Sequence, residues 1–132
     1  MKLALFDLDH TLLPLDSDQS WGEFTLELGW VDPHTFQAQN NAFYADYQAG
    51  CLDIHDYVRF ATEAFRIRPR AEAEAAHARF MQEIIQPVIR GEALALLDKH
   101  RAAGEKLVII TATNEFVTRP IAQAFGVDEL IA

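Results

Sequence analysis

The sequence is poor in basic residues, in cysteine and in long apolar runs. Its 132 residues include 11 Lys and Arg against 20 Asp and Glu, a formal net charge of −9, so no basic patch is available to neutralise nucleic-acid phosphates. The single cysteine, Cys51, excludes an internal disulfide and fits a reducing compartment. No apolar run is long enough to cross a bilayer, and the amino terminus lacks signal-peptide architecture. We therefore expect a cytoplasmic protein that binds neither nucleic acid nor membranes.

A short apolar segment, residues 2–8, leads into two aspartates, Asp7 and Asp9. Apolar residues occupy both parities of this segment, which predicts a β-strand buried on both faces. Residues two apart point to the same side of a strand, so the two carboxylates are expected to converge. At a separation of about 5 Å and an effective dielectric near 20 they would repel by roughly 3 kcal/mol. A bound cation, a proton or a role in catalysis would compensate for this repulsion. We therefore interpret the pair as part of an active site.

Four helical patterns follow, from about residue 16 to residue 89, with no strand between them. Each begins at residues that favour helix starts, at Asp16, Asp32, Asp53 and Pro69, and the last runs to Pro87. Aromatic residues recur on one face of these helices, which is typical of a packed core and not of a cofactor site. Four amphipathic helices joined by short connections predict a small antiparallel bundle.

Alternating α/β patterns resume after this helical region. The elements expected there are a helix over 92–103, a strand over 106–111, a helix over 114–125 whose first turn is tightened or broken by Pro120, and a third strand from 127. The fold class predicted is therefore α/β, a Rossmann-like parallel sheet with an all-α four-helix insert after strand 1. The expected domains are an α/β core over 1–15 and 88–132 and a helical insert over 16–87.

The polar residues at the ends of the first two strands are expected to meet. Ligands of parallel α/β sheets bind beyond the carboxyl ends of the strands, and a right-handed crossover places strands one and two close together. Asp7 and Asp9 then approach Thr111 and the free backbone amides of 112–114, at a helix start that favours anions. This set suits phosphoryl transfer, with one carboxylate as nucleophile, the second as acid and base, and a divalent cation.

Two segments resemble motifs of a known family. Asp7-Leu8-Asp9-His10-Thr11 resembles motif I, DxDxT, of the haloacid dehalogenase superfamily of phosphohydrolases, and residues 108–111 resemble its motif II. The helical insert resembles the C1 cap of the subfamily (IB) that contains phosphoserine phosphatases. The resemblance implies a Mg²⁺-dependent hydrolase of a small phosphorylated metabolite that works through an aspartyl-phosphate intermediate. The roles it implies are Asp7 as nucleophile and metal ligand, Asp9 as general acid/base and metal ligand through its carbonyl, and Thr111 as the phosphate-binding residue. Ala112 and Thr113, whose amides lie at the expected helix start, are further candidate phosphate contacts.

The family pattern is only partly present. A motif III lysine and a motif IV acidic pair follow motif II on later strands in that family, and neither appears before Ala132. We therefore expect an incomplete core whose first strand has an open edge. The alternative function is a catalytically incomplete fragment or a non-enzymatic phosphate-binding module. A receiver-like domain is disfavoured, because it has no four-helix insert after its first strand.

The substrate is expected to be a phosphomonoester other than phosphoserine. Phosphoserine phosphatases usually have Ser and Gly-Gly where this sequence has His10 and the pair at 112–113. Asp16 stands in the place of their cap glutamate, and Arg59 lies near the place of their carboxylate-binding arginine. Asp16, Arg59 and Asn114 are therefore the candidate substrate contacts, although Asp16 and Asn114 are equally suited to cap helices. The five histidines show no metal-ligand spacing, and we assign none of them a catalytic role.

Overall fold

The computed structural model describes residues 2–132, and its three β-strands form one parallel sheet in the order β1-β2-β3. In β1 and β2 the register pairs Leu3 with Lys106 and Phe6 with Ile109. Strand β3 continues the sheet on the far side of β2. The predicted parallel α/β sheet, with strands one and two adjacent, is therefore confirmed. The strands are β1 (Leu3–Phe6), β2 (Lys106–Ile110) and β3 (Glu129–Ile131).

The α-helices of the described residues follow the sequence prediction closely. Four of them lie between β1 and Pro87, and the remaining two flank β2. They are α1 (Ser17–Glu27), α2 (Pro33–Gln48), α3 (Ile54–Arg66), α4 (Arg70–Phe80), α5 (Gly91–Ala102) and α6 (Glu115–Phe125). The fourth helix is shorter than predicted: after Phe80 the chain continues as a π-helical turn, Met81–Ile85, and a 3₁₀ turn, Gln86–Val88, because Pro87 cannot extend an α-helix.

Local capping explains where several helices begin. The Asp32 carboxylate accepts hydrogen bonds from the backbone N–H of Thr35 at 2.9 Å and from its hydroxyl at 2.8 Å. The backbone hydrogen bond lowers the pKa of Asp32 the most, and the hydroxyl hydrogen bond lowers it further. Asp53 likewise accepts from the His55 N–H at 2.9 Å at the start of α3. Both residues were predicted as helix starts, because aspartate satisfies the unpaired amides of a first turn.

Helix α6 is continuous through Pro120, so the predicted break in its first turn is wrong. Proline removes one N–H from the helical ladder, but its fixed φ remains compatible with helix. The helix stays continuous because one of its faces, which includes Val117, Ile121 and Phe125, is buried. Gly126 ends α6 in the left-handed conformation, with φ of 70°.

The prediction that β1 is buried on both faces is wrong for the residues described. Ala4 is buried, but Leu3 and Leu5 on the opposite face are 58% and 59% exposed. Side chains stand roughly perpendicular to a sheet, so this exposure shows that the described residues leave that face of β1 uncovered. Within residues 2–132 β1 also pairs only with β2 and is therefore an edge strand of that sheet. An apolar edge strand of this kind is open to further pairing.

The chain divides into two compact units. The first contains the sheet and consists of the residues up to Trp21 together with Ala76–Ala132, and the second is Gly22–Ala75. Within the first unit the apolar side chains that are almost completely buried are Leu8, Leu12, Leu13, Trp21, Phe80, Ile85, Leu97, Leu107, Ile109, Val117 and Ile121. No helix among residues 2–132 combines the length and apolarity that crossing a membrane requires.

The second unit has an aromatic cluster of its own. The ring of Phe60 stacks on Phe36 with centroids 5.2 Å apart and packs against Phe43 at 5.1 Å. The Arg68 guanidinium lies 4.2 Å from the centre of the Trp30 ring. These rings are therefore packing residues, as their helical spacing indicates, whereas Tyr44 and Tyr47 of α2 are exposed. The predicted insert, 16–87, is longer than this compact unit, and its function as a cap stays a prediction.

Candidate active site

The chain leaves β1 through a tightly anchored turn that carries the first aspartate. Residues Leu8–Leu12 form a turn closed by a hydrogen bond of 3.0 Å from the Leu13 N–H to the Leu8 carbonyl. Leu8 is fully buried and Leu12 nearly so, which fixes the turn against the core. Asp7 is exposed at its start and accepts the Leu8 N–H at 2.9 Å. Its other oxygen accepts the Thr11 hydroxyl at 3.3 Å. Each oxygen therefore has one neutral donor and keeps a lone pair available.

Inside this turn the backbone changes direction at two residues. Asp9 is extended, with φ of −68° and ψ of 129°, and His10 is left-handed, with φ of 56° and ψ of 20°. A non-glycine residue in that region costs about 1–3 kcal/mol and persists where the surroundings hold it. Here the His10 N–H donates to the Leu15 carbonyl at 3.1 Å. Because the chain changes direction here, the two aspartates accept hydrogen bonds from different residues.

Both carboxylate oxygens of Asp9 are held by hydrogen bonds. Its Oδ1 accepts the Ser17 N–H at 2.7 Å and the Ser17 hydroxyl at 2.6 Å. Its Oδ2 accepts the Thr113 hydroxyl at 2.9 Å. Because Ser17 is the first residue of α1, the carboxylate also caps that helix, where negative charge is favourable. Ser17 is fully buried. The sequence pattern gave no sign of its contact with Asp9.

Two threonines continue this network to the end of β2. The Thr111 N–H donates to the Ile131 carbonyl at 2.9 Å, which extends the pairing of β2 with β3. The Thr111 hydroxyl accepts the Thr113 N–H at 3.1 Å, and Thr113 in turn donates to Asp9. The structure thus brings Asp9, Thr111 and Thr113 together at the carboxyl ends of two strands. The prediction of a free Thr113 amide is wrong, because the amide donates to the Thr111 hydroxyl. Ala112, between the two threonines, is exposed.

The three candidate substrate contacts have local partners. Asp16 accepts the Gln19 N–H at 3.0 Å, and Asn114 accepts the Val117 N–H at 3.1 Å, so both cap the first turn of a helix. Arg59 lies in α3 of the second compact unit with its side chain 72% exposed. Their contact with a substrate stays a prediction.

The oxygen atoms at the end of β1 suit a hard cation. Among residues 2–132 no group of three or more His, Cys, Asp and Glu side chains is arranged to hold a metal ion. The exposed Asp7 carboxylate is available as a ligand, and the family resemblance adds the Asp9 carbonyl; of the Asp9 carboxylate oxygens, Oδ1 accepts two donors and Oδ2 one. Mg²⁺ is commonly bound by one or two protein carboxylates and keeps several waters. These residues therefore fit part of a Mg²⁺ ligand set.

A buried histidine makes a hydrogen bond to helix α6, which follows Thr111 and Thr113. His77 is 4% exposed, and its Nε2 lies 2.9 Å from the Val117 carbonyl in α6. A carbonyl only accepts, so Nε2 carries the proton of the neutral ring. The imidazole stacks on Trp21, with centroids 5.4 Å apart. Burial lowers the pKa of His77, and the bond to Val117 offsets this only in part. Sequence reasoning assigned this histidine no role.

Comparison with known proteins agrees with the fold and the motifs. Residues 4–132 match the haloacid dehalogenase-like hydrolase family model. The chain is 39% identical over 130 residues to a histidinol-phosphatase of Neisseria meningitidis serogroup C (strain 8013), covering 98% of this chain and 59% of that protein. It is 42% identical, with a TM-score of 0.89, to the crystal structure of a protein of unknown function from Bordetella pertussis Tohama I, covering 99% of this chain and 59% of that one.

A more distant structure has the same fold. A phosphoserine phosphatase with a phospho-aspartyl intermediate analogue aligns with a TM-score of 0.55 at 19% identity, covering 98% of this chain and 54% of that one. The chain thus spans between half and three fifths of the length of these relatives. The family match extends over nearly all of its own residues and includes both strand-end motifs. The chain belongs to the haloacid dehalogenase-like hydrolase family.

Proposed function

We propose that this protein is a Mg²⁺-dependent hydrolase of a small phosphorylated metabolite, with Asp7 as nucleophile and Asp9 as general acid and base. The observation that carries this proposal is the difference between the two aspartates in exposure and in hydrogen-bond partners. Asp7 is exposed, with only neutral donors on its oxygens. Asp9 is fixed by Ser17 and by Thr113, which follows the neighbouring strand. One carboxylate is accessible to a substrate, and the other is held in a defined position.

In the first step an Asp7 oxygen attacks phosphorus, and the bond from phosphorus to the substrate oxygen breaks. The leaving oxygen takes the proton from Asp9, which becomes a carboxylate. This gives an alcohol and a phosphoryl group on Asp7. Covalent catalysis of this kind divides one difficult displacement into two easier ones, and a positioned general acid typically contributes about 10²–10⁴-fold.

In the second step water attacks the phosphorus of the aspartyl phosphate. Asp9 accepts a proton from that water, and the bond between phosphorus and Asp7 breaks to release inorganic phosphate. Thr111, at the end of β2, is the proposed phosphate contact, because its hydroxyl can still donate while it accepts the Thr113 N–H. The backbone amide of Ala112, an exposed residue, is the second proposed contact. Mg²⁺, held by the Asp7 carboxylate and the Asp9 carbonyl, would offset the repulsion between carboxylate and phosphate.

Histidinol phosphate is the substrate we propose to test first. The relative that shares 39% identity is named histidinol-phosphatase, and the sequence departs from phosphoserine phosphatases next to both motifs. The helical insert is the proposed substrate-selecting cap, with Arg59 and the capping residues Asp16 and Asn114 as the candidate contacts. A cytoplasmic location stays a prediction. We expect a preference for histidinol phosphate over phosphoserine, measured as kcat/KM for each.

The test is turnover of p-nitrophenyl phosphate by the protein at its full natural length. We expect hydrolysis with Mg²⁺, its loss in a chelator, and a loss on the order of 1,000-fold or more in Asp7→Asn. Asp46→Asn is the matched control, because Asp46 is an exposed carboxylate of α2, and it should retain wild-type activity. Turnover that survives Asp7→Asn would exclude the nucleophile assignment.

The competing function is a phosphate-binding module without turnover. The observation that favours it is the small number of metal-binding oxygens among residues 2–132. A protein that binds inorganic phosphate in the presence of Mg²⁺, and hydrolyses none of the phosphomonoesters above, would be such a module. Turnover measurements on the same preparation separate the two functions.

A further inference from the structure

The contacts of Asp9 distinguish its two oxygens by the number of donors that each accepts. Oδ1 accepts two donors, the backbone N–H and the hydroxyl of Ser17. These donors occupy both lone pairs of Oδ1, which leaves it no free position for a proton. Oδ2 accepts one donor, the Thr113 hydroxyl, and keeps its second lone pair. Oδ2 can therefore take up a proton while its hydrogen bond with Thr113 stays in place.

We propose that Thr113 is a positioning residue for the acid/base step: it holds Asp9 Oδ2, the oxygen that carries the transferred proton, while Ser17 fixes Oδ1. This inference rests on the proposed function. When Asp9 is ionised, the Thr113 hydroxyl donates to Oδ2, as it does at 2.9 Å in the structure. When Oδ2 is protonated on its second lone pair, the same hydroxyl still donates to the first. The carboxyl group thus keeps one orientation through both steps of the reaction.

The burial of the partners supports a positioning role. Ser17 is fully buried and Thr113 is 8% exposed, so neither hydrogen bond competes freely with bulk water. The Thr113 N–H is fixed in turn by the Thr111 hydroxyl at 3.1 Å. A side chain whose own orientation is fixed by neighbours positions a catalytic group more accurately than a mobile one. Thr113 therefore acts on the reaction through Asp9, and its amide is engaged away from the phosphate.

Leaving-group dependence distinguishes this role from a merely structural one. p-Nitrophenolate leaves readily without a proton, whereas phenolate is a poorer leaving group and depends more on a general acid. We expect Thr113→Val, measured on the protein at its full natural length with Mg²⁺, to lower kcat for phenyl phosphate on the order of 10-fold more than kcat for p-nitrophenyl phosphate. KM should change by less than about two-fold, because the hydroxyl is not a substrate contact.

Three further variants make the test specific. Thr113→Ser keeps the hydroxyl and should restore most of the activity on phenyl phosphate. Thr118→Val is the matched control: Thr118 is also fully buried, but its hydroxyl donates to the Asn114 carbonyl and not to Asp9, so any loss should be equal for both substrates. In an Asp9→Asn background, Thr113→Val should cause no further loss, because its effect passes through Asp9.

The outcomes are distinguishable. Equal losses of kcat for the two substrates in Thr113→Val, or no loss at all, would overturn the inference and leave the proposed phosphatase intact. Absence of turnover in the unmodified protein would overturn the proposed function and the inference with it. If Thr113→Val does not fold by circular dichroism, Ser17→Ala provides the second variant. It removes one of the two donors to Oδ1, and the same unequal loss, smaller because the N–H remains, is expected; equal losses there would refute the positioning role.

Discussion

Replacing His77 with phenylalanine should destabilise the protein at alkaline pH and make it less sensitive to acid. The imidazole is buried, donates from Nε2 to the Val117 carbonyl at 2.9 Å, and stacks on Trp21. It also makes edge contacts with Phe80 and Phe116, with centroids 5.5 Å and 5.2 Å away. Phenylalanine keeps a ring among these aromatic neighbours. It removes the hydrogen bond and the titrating group.

The magnitude follows from these two losses. A single internal hydrogen bond contributes about 0.5–1.5 kcal/mol, so at pH 8, where His77 is neutral in both states, His77→Phe should be less stable by about 1 kcal/mol. Burial lowers the pKa of His77 in the folded protein. Below pH about 6.5 the unfolded chain therefore takes up a proton that the folded protein does not. The wild type should lose up to about 1 kcal/mol between pH 6.5 and 5.5 through this group, and His77→Phe should not.

Urea unfolding followed by tryptophan fluorescence at pH 8, 6.5 and 5.5 measures the difference. The free energies of unfolding of wild type and His77→Phe should converge as the pH falls. His55→Phe is the matched control, because His55 is exposed in α3, and its pH dependence should follow that of the wild type. A gap between wild type and His77→Phe that stays constant or widens at lower pH would refute the burial argument.

Two further predictions concern the core and the backbone. Phe80→Ala, at a fully buried ring, should lower the free energy of unfolding by about 3–5 kcal/mol in chemical denaturation. Tyr47→Ala, at a ring 67% exposed, should lower it by no more than about 0.5 kcal/mol. Similar values for the two variants would contradict the assignment of the core. Gly126→Ala should cost about 1 kcal/mol because φ there is 70°. Gly91→Ala, in α5 with open space around its Cβ position, should be neutral or stabilising by up to about 1 kcal/mol; a stabilising Gly126→Ala would contradict the conformational argument.

Features set by neighbouring residues were predictable from the sequence. Asp32 and Asp53 cap the helices that they were expected to start, because an aspartate acts on amides two or three residues away. The parallel pairing of β1 with β2 followed from a general rule of chain handedness. The approach of Asp9 to Thr111 followed from where parallel strands end.

Features set by residues distant in the sequence were not predictable. The bond from Thr113 to Asp9 joins residues 104 positions apart, and nothing in the local pattern separates it from an ordinary helix cap. Leu3 and Leu5 have the sequence of a buried strand, but their burial depends on what packs over that face of β1 and not on their own composition. The continuous helix at Pro120 reflects burial of one helix face, which outweighs the local preference against proline.

The identity of the group that carries the phosphoryl intermediate tests the central claim most directly. The protein at its full natural length is mixed with p-nitrophenyl phosphate and Mg²⁺, quenched in acid during turnover, digested and examined by tandem mass spectrometry. Our account predicts an acid-stable, base-labile phosphoryl group on the peptide that contains Asp7, and its absence in Asp7→Asn. A phosphoryl group on a different residue, or turnover with no labelled peptide at any time, would contradict it.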